Sequence, residues 1–171
     1  MKHASIKADN TLDIKPLIAF AGESFEVCLE KELPSNLMGN NPYKFMGPAK
    51  LDATARYNEG SVEIKGNIIV PIKYVCSKCG APFEENLFID INEKIVENDD
   101  DEHFMLLGDL VDFNEIISQI VALNIPTMAL CRKNCKGICP VCGKNRNEDD
   151  CSCQLNIGAT SPFSYLKDKI K

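Results

Sequence analysis

The chain has 171 residues, an apolar fraction of 44% and a formal net charge of −6. This length suits one domain, or one domain with a small appendage, and the negative charge argues against adhesion to nucleic acid through bulk positive charge. No apolar run approaches the ~20 residues of a membrane span, and the N-terminus has no signal-peptide core. We therefore expect a protein of the reducing cytoplasm that makes no membrane contact.

The N-terminal part is predicted to contain two strands followed by a loop. Four apolar side chains favour the first strand: Ile14, Leu17, Ile18 and Phe20. The alternating pattern of residues 24–30 favours the second strand. Cys28 lies alone in it, and we interpret this residue as a small hydrophobic side chain of the core rather than a ligand. Residues 33–48 are rich in proline, glycine and asparagine, which indicates a loop or linker.

Three runs of alternating apolar and polar residues predict an antiparallel meander over residues 49–92. The runs cover residues 51–57, 62–74 and 83–91. In the second run the apolar side chains occupy even positions, a period of two that is typical of a strand with one buried face. Gly66 interrupts this run and is interpreted as a bulge or bend. The first pair of cysteines falls in the turn between the second and third runs.

One principal helix is predicted over residues 113–123. Asp112 is a good N-cap, and Glu115 three residues later would complete a capping box. Apolar residues follow at helical spacing, and Pro126 ends the helix. The acidic run at residues 97–102 is interpreted as a solvated loop before the helix.

These elements predict an α+β fold. It is mainly an antiparallel β-sheet with one principal helix packed on it and a cysteine-rich, zinc-binding C-terminal segment. We divide the chain into a β-rich core with one helix at residues 1–126, a zinc-binding segment at 127–160 and a short C-terminal helix at 161–171. Cys76 and Cys79 are expected to attach the zinc-binding segment to the core.

The strongest chemical signal is metal-ligand spacing in eight of the nine cysteines. Two residues between two cysteines let one turn aim both sulfurs at a single ion. The glycine after each such pair, Gly80 or Gly143, can adopt a positive φ without steric cost. Four thiolates per ion predict about two zinc ions per chain. The predicted ligands are Cys76, Cys79, Cys131, Cys135, Cys139, Cys142, Cys151 and Cys153.

Two alternatives to zinc find less support in the sequence. A disulfide framework is typical of secreted proteins, and the N-terminus predicts a reducing compartment. Thioredoxin-like redox chemistry would place a cysteine pair between a strand and a helix of a βαβ unit, and neither pair has that setting. Structural zinc is therefore the favoured interpretation.

Two groupings give each ion four sulfurs. The favoured grouping combines the first cysteine pair with Cys131 and Cys135, and leaves the four cysteines from Cys139 onward for the second ion. The alternative joins the two glycine-tailed pairs on one ion, as in a zinc ribbon. Both groupings satisfy tetrahedral coordination.

No catalytic constellation is apparent in the sequence. There is no glycine-rich phosphate loop and no HExxH motif, and both histidines, His3 and His103, are interpreted as surface residues. Sites with four cysteine ligands are closed, whereas a catalytic zinc keeps an open position. We therefore expect that the protein is not an enzyme.

Five cations surround the cysteine-rich segment: Arg132, Lys133, Lys136, Lys144 and Arg146. They either keep the segment soluble or form a local patch that faces phosphate. The acidic residues 148–150 interrupt the patch, so both interpretations stay open.

The order of these features resembles the YceD family, the large-subunit ribosomal RNA accumulation proteins. The resemblance covers roughly residues 60–170, and its most specific part is Cys-Lys-Gly-Ile-Cys-Pro-Val-Cys-Gly at residues 135–143. It implies a role in accumulation or processing of large-subunit ribosomal RNA, with metal and nucleic-acid binding. The chain departs from the family at Ala129, where proline is usual, and at Ser161-Pro162-Phe163, where the family closes with Asp-Pro-Arg.

Two functional hypotheses follow. In the first, the protein is a non-enzymatic zinc protein of large ribosomal subunit assembly. Its five cations would then bind large-subunit ribosomal RNA or a precursor particle, together with a ribosomal or RNA-processing protein. In the second, it is a zinc-stabilised adaptor that binds another protein and has no contact with nucleic acid. The family resemblance favours the first hypothesis, and the acidic net charge favours the second.

Overall fold

The computed structural model describes residues 2–35, 37, 43–97 and 103–153. The predicted C-terminal helix at residues 161–171 lies outside these residues, as does most of the predicted acidic loop. The chain forms two compact units, each with more contacts within itself than to the other. The first unit is Met1–Val75 with Pro82–Thr127, and the second is Cys76–Ala81 with Met128–Lys171.

The first unit contains all the strands and helices of the described residues. In chain order they are β1 (Lys2–His3), β2 (Thr11–Asp13), α1 (Lys15–Ala19), β3 (Ser24–Lys31), β4 (Tyr43–Phe45), β5 (Ala49–Asn58), β6 (Ser61–Val75), β7 (Pro82–Val96), β8 (Phe104–Met105), β9 (Leu110–Asp112) and α2 (Phe113–Asn124). The larger sheet has the order β1-β3-β5-β6-β7-β8, with β4 also paired to β6, and β2 and β9 form a smaller sheet. The described residues are thus mostly β-sheet with two helices. Neither helix has the length and apolarity that a membrane crossing would require.

The longest feature is the hairpin formed by β6 and β7. Its register runs without interruption from the pair Ser61 and Val96 to the pair Val75 and Pro82. Six even-numbered side chains of β6 are at most 5% exposed: Val62, Ile64, Ile68, Val70, Ile72 and Tyr74. Successive side chains of a strand point to opposite faces, so this period of two places one face of β6 in the core. The predicted three-stranded meander is confirmed as β5, β6 and β7.

Gly66 does not form a bulge, and that prediction is wrong. The strand continues in register through Gly66, opposite Ala53 of β5 and Ile91 of β7. A Cβ atom at this position would overlap the carbonyl oxygen of Asp52 and lie 2.6 Å from the Cβ of Ala53. Glycine is therefore required by the close approach of β5 and not by a bend in the backbone.

We expect Gly66→Ala to lower the free energy of unfolding by about 2–4 kcal/mol, because the strands must move apart to admit the methyl group. Urea denaturation followed by circular dichroism measures this loss as a lower midpoint. The matched control is Asn67→Ala, the neighbouring residue on the opposite face, which should change stability by less than about 1 kcal/mol. Equal midpoints for the two variants would contradict the steric explanation.

Helix α2 begins at the predicted N-cap. Oδ1 of Asp112 accepts a hydrogen bond of 2.8 Å from the backbone N–H of Asn114. Glu115 accepts a bond of 2.9 Å from the side chain of Gln119, one turn along the helix, instead of completing the capping box. The apolar stripe is buried at Phe113, Ile116, Ile117, Ile120 and Val121. The predicted helix is confirmed with an end at Asn124.

The predicted first strand is wrong, because this segment forms α1. Ile14, Leu17 and Ile18 have the spacing i, i+3 and i+4, which suits a helix, and Pro16 lies in the first turn, where its missing N–H costs nothing. Ile14 and Leu17 are buried, whereas Ile18 is 40% exposed. The second predicted strand is confirmed as β3.

Cys28 is exposed, so its interpretation as a core residue is also wrong. Phe25 and Val27 of β3 are buried, and alternation therefore turns Cys28 to the outer face of the sheet. There its Sγ lies 3.6 Å from Oδ1 of Asp52. Desolvation and this carboxylate raise the pKa of the Cys28 thiol, which disfavours a reactive thiolate.

Candidate metal centres

Two turns of the second unit share one backbone geometry, at residues 76–80 and 139–143. In each turn the N–H of the glycine donates to the carbonyl of the first cysteine, at 2.9 Å for Gly80 and 2.8 Å for Gly143. The φ angles of these glycines are +72° and +73°. A residue with a side chain rarely adopts such angles, so the glycine after each cysteine pair is required by the backbone.

The first turn meets two cysteines from the segment after Met128. Sγ of Cys76 lies 3.8 Å from Sγ of Cys135, and Sγ of Cys79 lies 3.8 Å from Sγ of Cys131. All four sulfurs lie within 4.8 Å of one another. Cys131 is half-buried and the other three are buried. We call these four residues the first cysteine group.

Backbone contacts hold the two segments of the first group together. Ser77 N–H donates to the carbonyl of Ala129 at 2.8 Å, and Ile138 N–H donates to the carbonyl of Lys78 at 3.0 Å. Gly137 has a φ of +71°, and a Cβ there would lie 3.0 Å from the carbonyl oxygen of Lys78. The contact of Ala129 uses its main-chain carbonyl, a group that proline also possesses.

A second cysteine group lies within one local stretch of chain. It consists of Cys139 and Cys142 from the second turn and of Cys151 and Cys153 from a short return, with all four sulfurs within 4.8 Å of one another. Cys139 is buried and Cys151 is half-buried, whereas Cys142 and Cys153 are exposed. The second group is therefore the more accessible of the two.

The sulfur geometry fits a tetrahedral metal ion. Four sulfurs at about 2.3 Å from a central ion lie about 3.8 Å from one another. Two of the sulfur–sulfur distances in the first group, Cys76 to Cys135 and Cys79 to Cys131, have this length, 3.8 Å. The two glycine-tailed turns belong to different groups, so the structure brings together the grouping favoured from the sequence and not the zinc-ribbon grouping. Each group can hold one metal ion.

Both groups contain acidified thiols. In the first group the pKa of Cys135 is lowered as well as that of Cys76, because hydrogen bonds from the Asn147 side chain and the Gly137 N–H outweigh its burial. Burial raises the pKa of Cys76, but backbone N–H groups, with that of Cys131 foremost, outweigh it and lower the pKa to about 6. The N–H of Cys142 has the largest share in lowering the pKa of Cys139 to about 6. Burial and the neighbouring sulfurs raise the pKa of Cys131 to about 12. Because thiolates bind metal, the acidified Cys76 and Cys139 are suited to bind an ion, whereas the raised pKa of Cys131 means that its thiol must release a proton on binding.

Asn147 supports the first group, and sequence reasoning missed it. Its side-chain Nδ2 donates to Sγ of Cys135 at 3.4 Å, and its Oδ1 accepts from the N–H of Lys136 at 2.9 Å. The same Nδ2 also donates a hydrogen bond of 2.8 Å to Oδ1 of Asn145, which orients the amide. Such outer hydrogen bonds orient ligands. No local pattern identifies an asparagine that reaches a sulfur from another part of the chain.

The five cations predicted to contact RNA are all exposed in the second unit: Arg132, Lys133, Lys136, Lys144 and Arg146. Nζ of Lys136 lies 3.5 Å from Oδ1 of Asp150, one of the acidic residues that interrupt the patch. Both side chains are more than half exposed, so this pair is weak. RNA contact by these residues stays a prediction.

The family model described as Large ribosomal RNA subunit accumulation protein YceD matches residues 64–168. A Zea mays protein named Large ribosomal RNA subunit accumulation protein YCED homolog 1, chloroplastic, is 35% identical over 70 residues, which cover 40% of this chain and 24% of the maize protein. Uncharacterised proteins of Mycobacterium tuberculosis and Mycobacterium bovis are 26% identical over 143 residues, 78% of this chain and 69% of theirs. No solved structure matches the chain.

The family match includes both cysteine groups, since residues 76–153 lie within it. It also covers more than half of the chain. By contrast, the chain spans about a quarter of the length of the maize relative. The chain belongs to the YceD family of large ribosomal RNA subunit accumulation proteins.

Proposed function

We propose that this protein is a non-enzymatic, zinc-binding factor that supports accumulation of large-subunit ribosomal RNA during ribosome assembly. The observation that carries the proposal is the family match, which contains both cysteine groups. The proposed partner is large-subunit ribosomal RNA or a precursor particle, with or without a ribosomal or RNA-processing protein. The proposed location is the cytoplasm, where thiols stay reduced and free to bind metal.

Zinc is the metal we propose for both groups. It prefers four thiolates in a tetrahedron, and the contacts of 3.8 Å in the first group suit that arrangement. A complete set of four sulfur ligands leaves no position for water or substrate, which supports a structural role and the absence of metal-centred catalysis. Zinc would fix the loops that carry the exposed cations.

We propose that those cations bind RNA phosphates. Loops held by a metal present their side chains with little loss of conformational entropy on binding, unlike a free tail. The chain as a whole is acidic, with a formal net charge of −6, so contact must be local to this part of the surface. Lys133, Lys144 and Arg146 are exposed and suit a test by charge reversal.

Replacing Lys133, Lys144 and Arg146 together with glutamate should weaken binding to large-subunit ribosomal RNA by about tenfold or more, because phosphate contacts are lost. The salt dependence should also become shallower, by about one unit of slope per contact removed. Electrophoretic mobility shift over a salt series measures both quantities. Metal content should be unchanged, since the three residues are not ligands.

The matched control reverses three exposed cations of the first unit, Lys50, Arg56 and Lys65. Both triple variants have the same net charge, so a general electrostatic effect would weaken them equally. Stronger loss in the second-unit variant supports the proposed patch. Equal loss, or no loss in either variant, would refute RNA binding by these cations.

A second function, protein adaptor, is favoured by exposed apolar side chains in the second unit. Met128 is 76% exposed, Val141 59% and Ile138 53%, and exposed apolar side chains of this kind can contribute to a docking surface. An adaptor would retain its protein partner after charge reversal and lose it when Ile138 and Val141 are replaced with serine. Pull-down of precursor particles with both variants distinguishes the two functions.

A further inference from the structure

The outer edge of β7 is unpaired over most of its length in the described part of the chain. β6 pairs with the whole of one side, whereas β8 pairs on the other side only with Ile95 and Val96. Among the described residues, 82–94 therefore form an edge of roughly 40 Å that no strand covers. We call these residues the open edge.

Hydrogen bonding shows which main-chain groups face outward. The carbonyl of Val96 accepts a bond of 2.8 Å from the N–H of Leu106, on the side away from β6. The direction of main-chain groups alternates along a strand, so the even-numbered residues of β7 turn their N–H and C=O groups outward. These residues are Glu84, Asn86, Phe88, Asp90, Asn92 and Lys94. Together they offer a ladder of donors and acceptors to a further strand.

The charge of the open edge selects the kind of strand that fits it. Its ionisable side chains are four carboxylates and one cation: Glu84, Glu85, Asp90, Glu93 and Lys94. A second copy of this chain would bring carboxylates against carboxylates, which is unfavourable between paired strands. A strand rich in lysine or arginine would instead be complementary.

A recess on the face of the sheet reaches from β6 to the carboxylates of β7. Its volume is about 300 Å³, and its lining residues are Met46, Pro71, Ile72, Glu84, Glu85 and Asn86. Glu84 of β7 lies next to an added strand and can receive the charged end of a basic side chain, whereas Met46 and Pro71 lie farther from the edge, on the opposite side of the recess. Nζ of Lys73 lies 3.3 Å from Glu84 with both side chains well exposed, so an incoming cation competes only with a weak surface pair.

One apolar residue adds a contact in the middle of the edge. Phe88 is 69% exposed and lies opposite Ile69 of β6 on the outer face. A strand added beyond β7 would place a side chain directly beside this ring.

We propose that the open edge is a docking site for an extended, lysine- or arginine-rich segment of another protein. The segment adds to the larger sheet as the next strand beyond β7. Main-chain hydrogen bonds to the even-numbered residues supply affinity, and the carboxylates select basic side chains. The residues of this site belong to the first unit and are none of the cysteine ligands or of the cations proposed to bind RNA.

The test uses the full chain and two synthetic peptides of equal charge, six Lys-Thr repeats and six Lys-Pro repeats. Proline removes alternate N–H groups and prevents strand pairing, so the Lys-Thr peptide should bind at least about tenfold more tightly. Amide hydrogen exchange should slow at the even-numbered residues of the open edge when this peptide is added. Titration calorimetry supplies the affinities.

A pair of variants tests the edge itself. Asn86→Pro with Asn92→Pro removes two outward N–H groups and leaves the ladder to β6 intact, whereas the matched pair Asn86→Ala with Asn92→Ala keeps them. The proline variant should lose at least about tenfold in affinity for the Lys-Thr peptide relative to the alanine variant. If the proline variant does not fold, Glu84→Lys with Asp90→Lys should produce a comparable loss.

Several results would overturn the proposal. Equal affinity for the two peptides would indicate attraction of charge without strand addition. Equal affinity of the folded proline and alanine variants, or no loss in the Glu84→Lys and Asp90→Lys variant, would place the peptide elsewhere. Protection of the even-numbered amides in the free protein would show that this chain covers its own edge. Protection that increases with protein concentration would show a second copy there.

Discussion

Serine in place of both Cys76 and Cys135 should reduce the bound metal from about two ions to about one per chain. The variant keeps only two of the four sulfurs of the first group, and an isolated pair cannot complete a tetrahedral site. Binding of a structural zinc contributes on the order of 10 kcal/mol to folding, so the first turn should separate from the segment around Cys131. The sheets should survive, because the first unit has a hydrophobic core of its own.

Native mass spectrometry measures the metal content, and amide hydrogen exchange shows where protection is lost. Protection should disappear in the first turn and around Cys131 and persist in β5, β6 and most of β7. Cys28→Ser is the matched control, since this exposed cysteine belongs to neither group and its loss should release no metal. Retention of both ions by the Cys76 and Cys135 variant would contradict the proposed ligand set.

The two groups should also lose metal at different rates. Cys142 and Cys153 of the second group are exposed, whereas Cys76, Cys79 and Cys135 of the first group are buried. A chelator or an oxidant reaches exposed sulfurs sooner, so the second group should release its ion at least about tenfold faster than the first. A colorimetric chelator should therefore report two phases of equal amplitude.

Replacing Cys151 and Cys153 with serine should abolish the fast phase and leave the slow phase unchanged. Iodoacetamide labelling gives an independent assignment, with Cys142 and Cys153 modified first and Cys76 last. A single phase in the wild type would contradict the difference in accessibility. Loss of the slow phase in the variant would instead indicate that the groups share a ligand.

The sequence predicts the structure best where the signal is local. Alternation of apolar residues identifies β5, β6 and β7, because neighbouring residues of a strand point to opposite faces whatever lies beyond the sheet. Asp112 and Pro126 bound α2 for reasons that also act over a few residues. The cysteine groups follow from counting sulfurs and from the short separation of Cys139 and Cys153.

The sequence predicts the structure poorly where distant segments meet. The pairing of β2 with β9 joins Leu12 to Val111, and neither short strand has a recognisable pattern of its own. Gly66 could be read correctly only with knowledge of the backbone of β5 beside it. Asn147 belongs to the site only because folding brings it to Cys135. α1 is a different case, because its helical spacing was present but too short to distinguish from a strand.

The separation of ligands along the chain has a consequence for how the protein matures. The first group joins sulfurs that are 52 and 59 residues apart, and the second group lies within one short stretch. Closing a long loop costs more entropy than closing a short one. During synthesis, the first group cannot bind its ion until Cys131 and Cys135 have left the ribosome, long after Cys76 and Cys79. The second group can bind its ion while the chain is still unfolded. We therefore expect the ion of the second group to bind first during synthesis and also to dissociate first. The buried ion of the first group should bind only when the chain has folded.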